Sequence, residues 1–258
     1  MTRFVDTHNH LYLEQFDQDR DEAVERAIEA GVQYMLLPNV DEETSGPLLQ
    51  LHKKYPENCL PMMGLHPTSV KPGFEKILDA MKERFETVKF YAVGETGIDL
   101  YWDKTWFDLQ VQSFRTQIEW AIDWDLPVVI HSRNSTSEIM DVLEQYRGTG
   151  LKGVMHCFPG DVHQAQWFTD FGFLLGIGGV VTYKKSAMAE VVKQIPLEKL
   201  LLETDAPYLP PVPYRGKRNE PAYIPFIAEK IAELKGVSAD VVAEKTTRAA
   251  HSLFRTEK

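Results

Sequence analysis

The chain has 258 residues, of which 43% are hydrophobic and 26% are charged, a composition typical of globular proteins that bury a sizeable core. Its formal net charge of −10 argues against a broad basic surface for nucleic acid or anionic membranes, although a local cationic site that carries metal ions stays possible. Two cysteines are too few for a disulfide framework and indicate a reducing compartment. The first residues lack the apolar core of a signal peptide, and no apolar run reaches the length of about 18 residues that a membrane span needs. We therefore expect a cytoplasmic protein without membrane contact.

Eight short apolar runs alternate with amphipathic segments along the chain. Near-continuous apolar runs are typical of strands buried on both faces, and a helical period between them predicts helices. The predicted strands are 4–7, 34–38, 60–65, 91–94, 128–131, 153–156, 173–177 and 200–203. The predicted helices are 21–30, 42–55, 74–85, 106–124, 137–146, 162–171, 186–194, 222–234 and 239–253.

Eight strand–helix pairs with an extra C-terminal helix predict an α/β fold, a single (β/α)₈ TIM barrel that occupies residues 1–258. A doubly wound sheet has the same alternation. However, no glycine-rich phosphate fingerprint follows the first strand, which disfavours a dinucleotide-binding fold. The segment 207–221 holds five of the 15 prolines, and it predicts a long ordered loop after the eighth strand, of the kind that often carries function.

Five of the eight histidines lie at or just past the ends of predicted strands, whereas the other three lie in predicted helices. In an α/β barrel these strand ends meet at the face that carries active sites. His8 and His10 are two residues apart, so both imidazoles point to the same side of an extended chain and could bind one ion. The five are His8, His10, His66, His131 and His156.

Carboxylates occur at the same strand ends. Glu95 lies among the glycines after the fourth strand, and Glu203 and Asp205 share one side after the eighth. Four imidazoles and at least two carboxylates exceed what one tetrahedral ion needs, and they fit two ions that share a bridging carboxylate. The mixed nitrogen and oxygen donors favour Zn, Mn, Fe, Ni or Co over Mg or Ca.

These residues resemble the TatD family of metal-dependent deoxyribonucleases, within the amidohydrolase-like TIM barrels. The resemblance covers nearly the whole chain and is carried by the stretches DTHNH (6–10), GLHP (64–67), VGETGID (93–99), IHSR (130–133), HCF (156–158), LETDAPYL (202–209) and PYRGKRNEP (213–221).

The resemblance implies a ligand set and an activity. One ion would be held by His8, His10, Glu95 and Asp205, and Glu95 would bridge to a second ion held with His131 and His156. Family members hydrolyse phosphodiester bonds in DNA, several of them as 3′→5′ exonucleases, usually with Mg²⁺ or Mn²⁺. That preference conflicts with the donor chemistry above, so the identity of the two divalent ions (Mg, Mn, Zn or similar) stays open.

The expected nucleophile is a hydroxide bound by the two ions, because Zn-type ions lower the pKa of bound water to about 7. Asp205 is expected to orient or deprotonate that water. Glu203 either assists it or supports a ligand. We expect His66 and Arg133 to contact phosphate, since the guanidinium fork of arginine matches phosphate geometry. A salt bridge from Arg133 to a site carboxylate is the alternative.

Aromatic and basic residues near the expected mouth suggest how a nucleic acid could bind. Tyr12, Phe16, Tyr101 and Trp102 could stack on bases if their rings are exposed. The basic cluster Arg215, Lys217 and Arg218 predicts either a contact with a polyanion or salt bridges that shape the loop. Cys157 follows His156 and should point away from the site, which indicates a structural role.

The sequence thus predicts a metal-dependent hydrolase that cleaves DNA at single-stranded 3′ ends, with a monomer as the default state. One alternative is hydrolysis of a small ester, lactone or amide, or of an ester at the 3′ end of tRNA, by the same site. A non-enzymatic metal-binding adaptor is the other, and an open carboxylate-bearing site argues against it. An acidic body with a small cationic mouth suits an enzyme that takes one strand end at a time.

Overall fold

Parallel strands, each paired with the next along the chain, form the centre of the protein. The computed structural model describes residues 3–256, so four residues of the expected 1–258 domain (1, 2, 257 and 258) lie outside the described residues. The strands of this part are β1 (Phe4–Asp6), β2 (Val32–Leu37), β3 (Cys59–Pro61), β4 (Val93–Asp99), β5 (Val128–Arg133), β6 (Gly153–Met155), β7 (Leu174–Ile177) and β8 (Leu200–Leu202). They are ordered β1-β2-β3 in one sheet and β4-β5-β6-β7-β8 in the other.

Isolated bridges, rather than continuous ladders, join the two sheets at both seams. Met63 forms a parallel bridge with Val93, and Asn9 forms one with Ala206. The amide of Thr7 also donates to the carbonyl of Leu202 at 3.0 Å. These contacts place β3 beside β4 and β8 beside β1, so the eight strands follow one another around a barrel.

A helix follows each strand, and one more follows the eighth. The α-helices between residues 3 and 256 are α1 (Arg20–Glu29), α2 (Glu42–Lys54), α3 (Phe74–Arg84), α4 (Phe107–Asp123), α5 (Thr136–Glu144), α6 (Val162–Phe171), α7 (Met188–Gln194), α8 (Ile224–Lys235) and α9 (Ala239–Phe254). The predicted (β/α)₈ architecture with an extra C-terminal helix is confirmed. In this part of the chain, no helix combines the length and hydrophobicity that crossing a membrane requires.

The apolar runs form strands because both faces of the sheet are covered. Residues on one face, such as Met35 and Leu37, pack against the helices and belong to the larger cluster of buried residues. The alternate residues, such as Leu36, fill the interior of the barrel. Leu253 and Phe254 of α9 belong to that interior cluster. The last helix therefore closes one end of the barrel, and the other end is left for polar side chains.

Local side-chain chemistry sets where several helices begin and end. Asp41 and Thr44 form a capping box at the start of α2, and Asp161 and Gln164 form one at the start of α6. Such boxes satisfy amides that lack partners in the first turn. Gly172, with a φ of 111°, ends α6 in the left-handed conformation that glycine tolerates best.

β4 is longer than the sequence predicts. The predicted strand ends at Gly94, because the apolar run 91–94 stops there, but β4 continues to Asp99. Gly97 makes the continuation possible, since a Cβ at that position would lie 2.1 Å from the carbonyl oxygen of His131 on β5. The extension places Glu95 within the strand and carries Asp99 to the active-site end of the barrel.

A salt-bridge network fastens the proline-rich loop after β8 to the start of α1. Arg218 contacts both carboxylate oxygens of Asp19, at 2.5 and 2.8 Å. Arg26 bridges Asp19 at 2.9 Å and Glu220 at 2.7 Å. Of the two roles predicted for the basic cluster, Arg218 therefore has the loop-shaping one.

We predict that Asp19→Asn destabilises the protein by about 1 kcal/mol at neutral pH. Hydrogen bonds from Arg218 and Arg26 hold the pKa of Asp19 at about 2, against an ordinary 3.8. That difference corresponds to about 2 kcal/mol for a fully buried group, and solvent screening of this partly exposed network halves it. The stabilisation is complete above pH 3.8 and is lost as the pH falls through about 2.

Urea denaturation of wild type and variant between pH 7 and pH 3 measures this effect, with Asp17→Asn at an exposed i,i+3 pair as the control. The difference in the free energy of unfolding between wild type and Asp19→Asn should begin to decrease below pH 4. A difference that stays constant with pH would show that it does not come from the Asp19 charge.

Candidate metal centre and active site

Imidazoles and carboxylates from five strand ends converge at the open end of the barrel. His8 Nε2 lies 3.2 Å from both His10 Nε2 and Glu95 Oε2. Asp205 Oδ1 lies 3.4 Å from His10 Nε2 and 3.8 Å from His156 Nε2. The five side chains are largely buried, so their polar atoms face one another instead of solvent.

The second oxygen of Glu95 faces a different set of imidazoles. Glu95 Oε1 lies 3.0 Å from His131 Nδ1, 3.6 Å from His66 Nε2 and 3.8 Å from His156 Nε2. Glu95 thus lies at the centre of the cluster, with one oxygen turned to each half. The structure brings together all six side chains predicted as metal ligands.

The geometry of this cluster fits bound cations. Ligand atoms at about 2.0–2.2 Å from a shared ion are separated by roughly 3 to 4 Å, and the contacts above span 3.0 to 3.9 Å. The rings of His8 and His156 stack with centroids 3.4 Å apart, and the buried Nδ1 of His8 has no hydrogen-bond partner among the described residues. Three groups of these side chains each bring three possible ligand atoms within 4.8 Å of one another: His8, His156 and Asp205; His8, His10 and Glu95; and His66, Glu95 and His131.

The carboxylates of the cluster are held in their charged form. Burial alone would raise the pKa of Glu95, but the surrounding imidazoles outweigh burial and keep it well below its usual range. Burial likewise opposes the charge of Asp205, and the nearby imidazoles of His10, His156 and His8 lower the pKa of that carboxyl. For His156, burial favours the neutral ring, yet Glu203 and Glu95 raise its pKa to about 10. Buried negative charge therefore attracts positive charge into this site.

Glu203 lies behind His156, on the side away from the other donors. Its Oε1 accepts a 2.6 Å hydrogen bond from the amide of Cys157 and lies 3.1 Å from His156 Nδ1. Gly176 makes room for this carboxylate, because a Cβ there would lie 2.1 Å from Oε2. Glu203 thus contacts one nitrogen of His156, and Asp205 faces the other.

Asp99 belongs to the site and was missed by the sequence analysis. Its Oδ2 lies 2.9 Å from His131 Nε2, and its Oδ1 accepts from the amides of Tyr101 and Trp102. Burial would raise the pKa of Asp99, but His131 and the two amides lower it to about 2. The available signal was spacing, since residues four apart in a strand share a face, but the expected end of β4 at Gly94 concealed it.

His66 presents a proton rather than a lone pair to the cluster. Its Nδ1 lies 2.7 Å from Thr68 Oγ1 and accepts a hydrogen bond of 3.2 Å from the amide of Thr68. A neutral ring that accepts at Nδ1 carries its proton on Nε2. Burial and the neighbouring His131 lower the pKa of His66 to about 3, which keeps the ring neutral. The Nε2–H of His66 is therefore a donor that points toward Glu95.

A cavity of about 670 Å³ opens above the cluster, and Arg133 lines its wall. The Arg133 guanidinium lies 3.8 Å from the ring centroid of Tyr101 and 5.1 Å from that of Trp102. Both rings are exposed, Tyr101 by 52% and Trp102 by 68%. Arg215 instead lies 4.3 Å from the ring centroid of Tyr183, and neither it nor Tyr101 is among the described residues that line the cavity.

Two expectations about the rim of the site are wrong. Tyr12 and Phe16 are buried, at 2% and 0% exposure, because their segment turns into the core after β1, so neither ring can stack on a base. Cys157 lines the cavity and does not turn away from the site, because its φ of 42° interrupts the alternation of an extended chain.

A parallel β/α barrel whose strand ends carry a buried cluster of imidazoles and carboxylates defines a class of metal-dependent hydrolases. The family model "TatD related DNase" matches residues 5–255, and the chain belongs to that family. It is therefore a metal-dependent hydrolase of the TatD family.

Relatives and solved structures of similar length agree with this assignment. The chain is 39% identical to the metal-dependent hydrolase YabD of Bacillus subtilis, over 97% of this chain and 98% of the relative. It is 34% identical to the 3′-5′ ssDNA/RNA exonuclease TatD of Salmonella typhimurium, over 95% and 96%. The crystal structure of the TatD homologue YjjV of Escherichia coli superposes with a TM-score of 0.92 at 32% identity, covering 98% of each chain.

We predict that divalent cations stabilise the folded protein through this cluster. At a free ion concentration of 100 times the dissociation constant, mass action adds about 2.7 kcal/mol. Mn²⁺ or Zn²⁺ added after chelation should therefore raise the thermal midpoint of the wild type, and Glu95→Gln should lose most of that gain because it removes the central charge.

Glu144→Gln, at an exposed glutamate of α5, is the matched control and should respond to the ions like the wild type. Equal stabilisation of Glu95→Gln and wild type would place the bound ion elsewhere.

Proposed function

We propose that this hydrolase removes nucleotides from the 3′ ends of single-stranded DNA by hydrolysing phosphodiester bonds. The observation that carries the proposal is Arg133, whose guanidinium rests on Tyr101 at 3.8 Å and lines the cavity above the cluster. A planar cation at that position suits a phosphate oxygen, because its fork makes two parallel hydrogen bonds. The resemblance to a relative named as a 3′-5′ ssDNA/RNA exonuclease supports the same substrate class.

The proposed ligand set has two divalent ions. His8, His10, Glu95 and Asp205 would hold one, and Glu95, His131 and His156 would hold the other. The two oxygens of Glu95 face the two halves of the cluster, at 3.2 Å from His8 Nε2 and 3.0 Å from His131 Nδ1, as a bridging carboxylate requires. Such ions, when bound, supply Lewis-acid charge that favours the attack of water on phosphorus.

The chain's own groups would position the reacting atoms. Asp205 is ionised and lies at the rim of the cluster, where it can orient a water molecule and accept its proton. Glu203 holds His156 from behind, and Asp99 holds His131 in the same way. Both carboxylates thus fix the orientation of a ligand ring, and their removal should weaken metal binding before it affects chemistry.

The cavity wall and the surface beside it would supply contacts for one strand end. Arg133 and the Nε2–H of His66 would bind phosphate oxygens, while the exposed rings of Tyr101 and Trp102 would stack on bases. Arg215, on the loop after β8, would contact a phosphate further along the strand. A cavity of about 670 Å³ and a net charge of −10 suit a single terminus better than a long duplex.

We predict that Asp205→Asn lowers the cleavage rate by about 10²–10⁴-fold, because the proton acceptor is lost. A 5′-labelled single strand incubated with Mn²⁺ should give a ladder that shortens from the 3′ end with wild type and with the exposed control Asp123→Asn. Added chelator should abolish the ladder. A wild type that leaves the strand intact but hydrolyses an ester or lactone panel would overturn the proposal.

Arg133→Ala should raise KM for the oligonucleotide by about 10-fold or more, since a hydrogen bond to a charged group contributes about 1.5–3 kcal/mol. Arg147→Ala is the matched control, because that arginine also lies over aromatic rings, Trp167 and Phe171, but in the turn after α5 and away from the cavity. Equal KM values for wild type and Arg133→Ala would exclude the phosphate contact.

A further inference from the structure

We propose that Tyr12 is a positioning residue that fixes His10 in the tautomer able to bind a metal ion. Tyr12 was expected to stack on bases if its ring is exposed, but the ring is 2% exposed, and its hydroxyl donates to the carbonyl of Pro38, the residue after β2. This inference rests on the proposed metal site. It adds a residue that contacts the donor cluster only through His10 and does not line the cavity.

The hydroxyl of Tyr12 contacts two groups at once. Its oxygen lies 2.5 Å from the carbonyl oxygen of Pro38 and 2.8 Å from His10 Nδ1. A carbonyl oxygen has no proton to give, so the phenol must donate its only proton to Pro38. The hydroxyl oxygen then offers a lone pair to His10, and His10 Nδ1 must be the nitrogen that carries hydrogen.

The other nitrogen of His10 is left with its lone pair. His10 Nε2 lies 3.2 Å from His8 Nε2 and 3.4 Å from Asp205 Oδ1, so this lone pair points into the donor cluster. A metal-binding histidine needs this arrangement, with a lone pair on one ring nitrogen and a hydrogen bond from the other. Tyr12 therefore selects the nitrogen that faces the ions.

His66 provides the contrast that makes the assignment specific. Its Nδ1 accepts from the amide of Thr68 and also contacts the Thr68 hydroxyl, which can donate to the same lone pair. The cluster-facing nitrogen of His66 is then protonated, and its ring is a donor. The partner on the far side of each ring thus decides its role. Because the Tyr12 hydroxyl donates its proton to Pro38, His10 is left with a lone pair for a metal ion. Because the Thr68 amide donates to His66, His66 is left with a proton to donate.

Burial strengthens the effect of the Tyr12 hydroxyl. Tyr12 and His10 are 2% and 4% exposed, so water cannot replace the hydroxyl as the partner of Nδ1. Removing the oxygen would leave both His10 Nδ1 and the Pro38 carbonyl without this partner.

The direct test is Tyr12→Phe, which keeps the ring and removes only the hydroxyl. We expect the affinity for Zn²⁺, measured by competition with a chromophoric chelator, to fall by about 10–100-fold for the ion that His10 binds. Tyr55→Phe is the matched control, since it removes a hydroxyl bonded to Asp21 on the outer surface, and it should bind Zn²⁺ like the wild type.

A double-mutant cycle with His10→Ala separates positioning from general structural damage. If Tyr12 acts through His10, then Tyr12→Phe should change Zn²⁺ affinity little in the His10→Ala background. An additive loss in that background would overturn the proposal, and so would an unchanged affinity in the single variant. A wild type that binds no Zn²⁺ at all would instead refute the metal site itself.

A measurement on the unmodified chain covers the case in which Tyr12→Phe fails to fold. In the imidazole ¹⁵N spectrum of the wild type, with His10 assigned through His10→Gln, the Nδ1–H tautomer should be present before Zn²⁺ is added. An Nε2–H tautomer of His10 would contradict the inference directly.

Discussion

The buried negative charge at the centre of the barrel is the constraint on which the rest of the site depends. Glu95 is 3% exposed, and a carboxylate at such a position is costly unless cations or donors surround it. His8, His66 and His131 all turn toward its two oxygens. The backbone of β4 is compatible with this arrangement. Gly97 lets β4 lie close to β5, which keeps Glu95 in the cluster.

The sequence was a good guide to the barrel because its strands are buried on both faces. Such strands leave near-continuous apolar runs, and each run stops where its polar side chains begin, so His131 and His156 could be placed at one face. The predicted strand ends were wrong where a strand continues past its apolar run. The run stops at Gly94, whereas β4 continues through polar residues to Asp99, so Asp99 was not recognised as a site residue. Tyr12 is amphipathic, and its sequence neighbours could not show that it is buried.

Side chains outside the donor cluster influence the orientation and the basicity of its imidazoles. Glu203 and Asp99 each contact the far nitrogen of a ligand histidine, and Tyr12 contacts that of His10. These groups differ in charge, which gives the imidazoles different basicity although they are chemically identical residues. Two ions held by such rings would therefore not be equivalent.

The end of the barrel opposite the donors is filled by α9. Leu253 and Phe254 complete the interior cluster together with residues such as Val5 from the first strand. The first strand and the last helix therefore share one core. Truncating α9 by its last turn would remove Leu253 and Phe254 from that core, so the packing beneath the donor cluster depends on residues at the opposite end of the barrel.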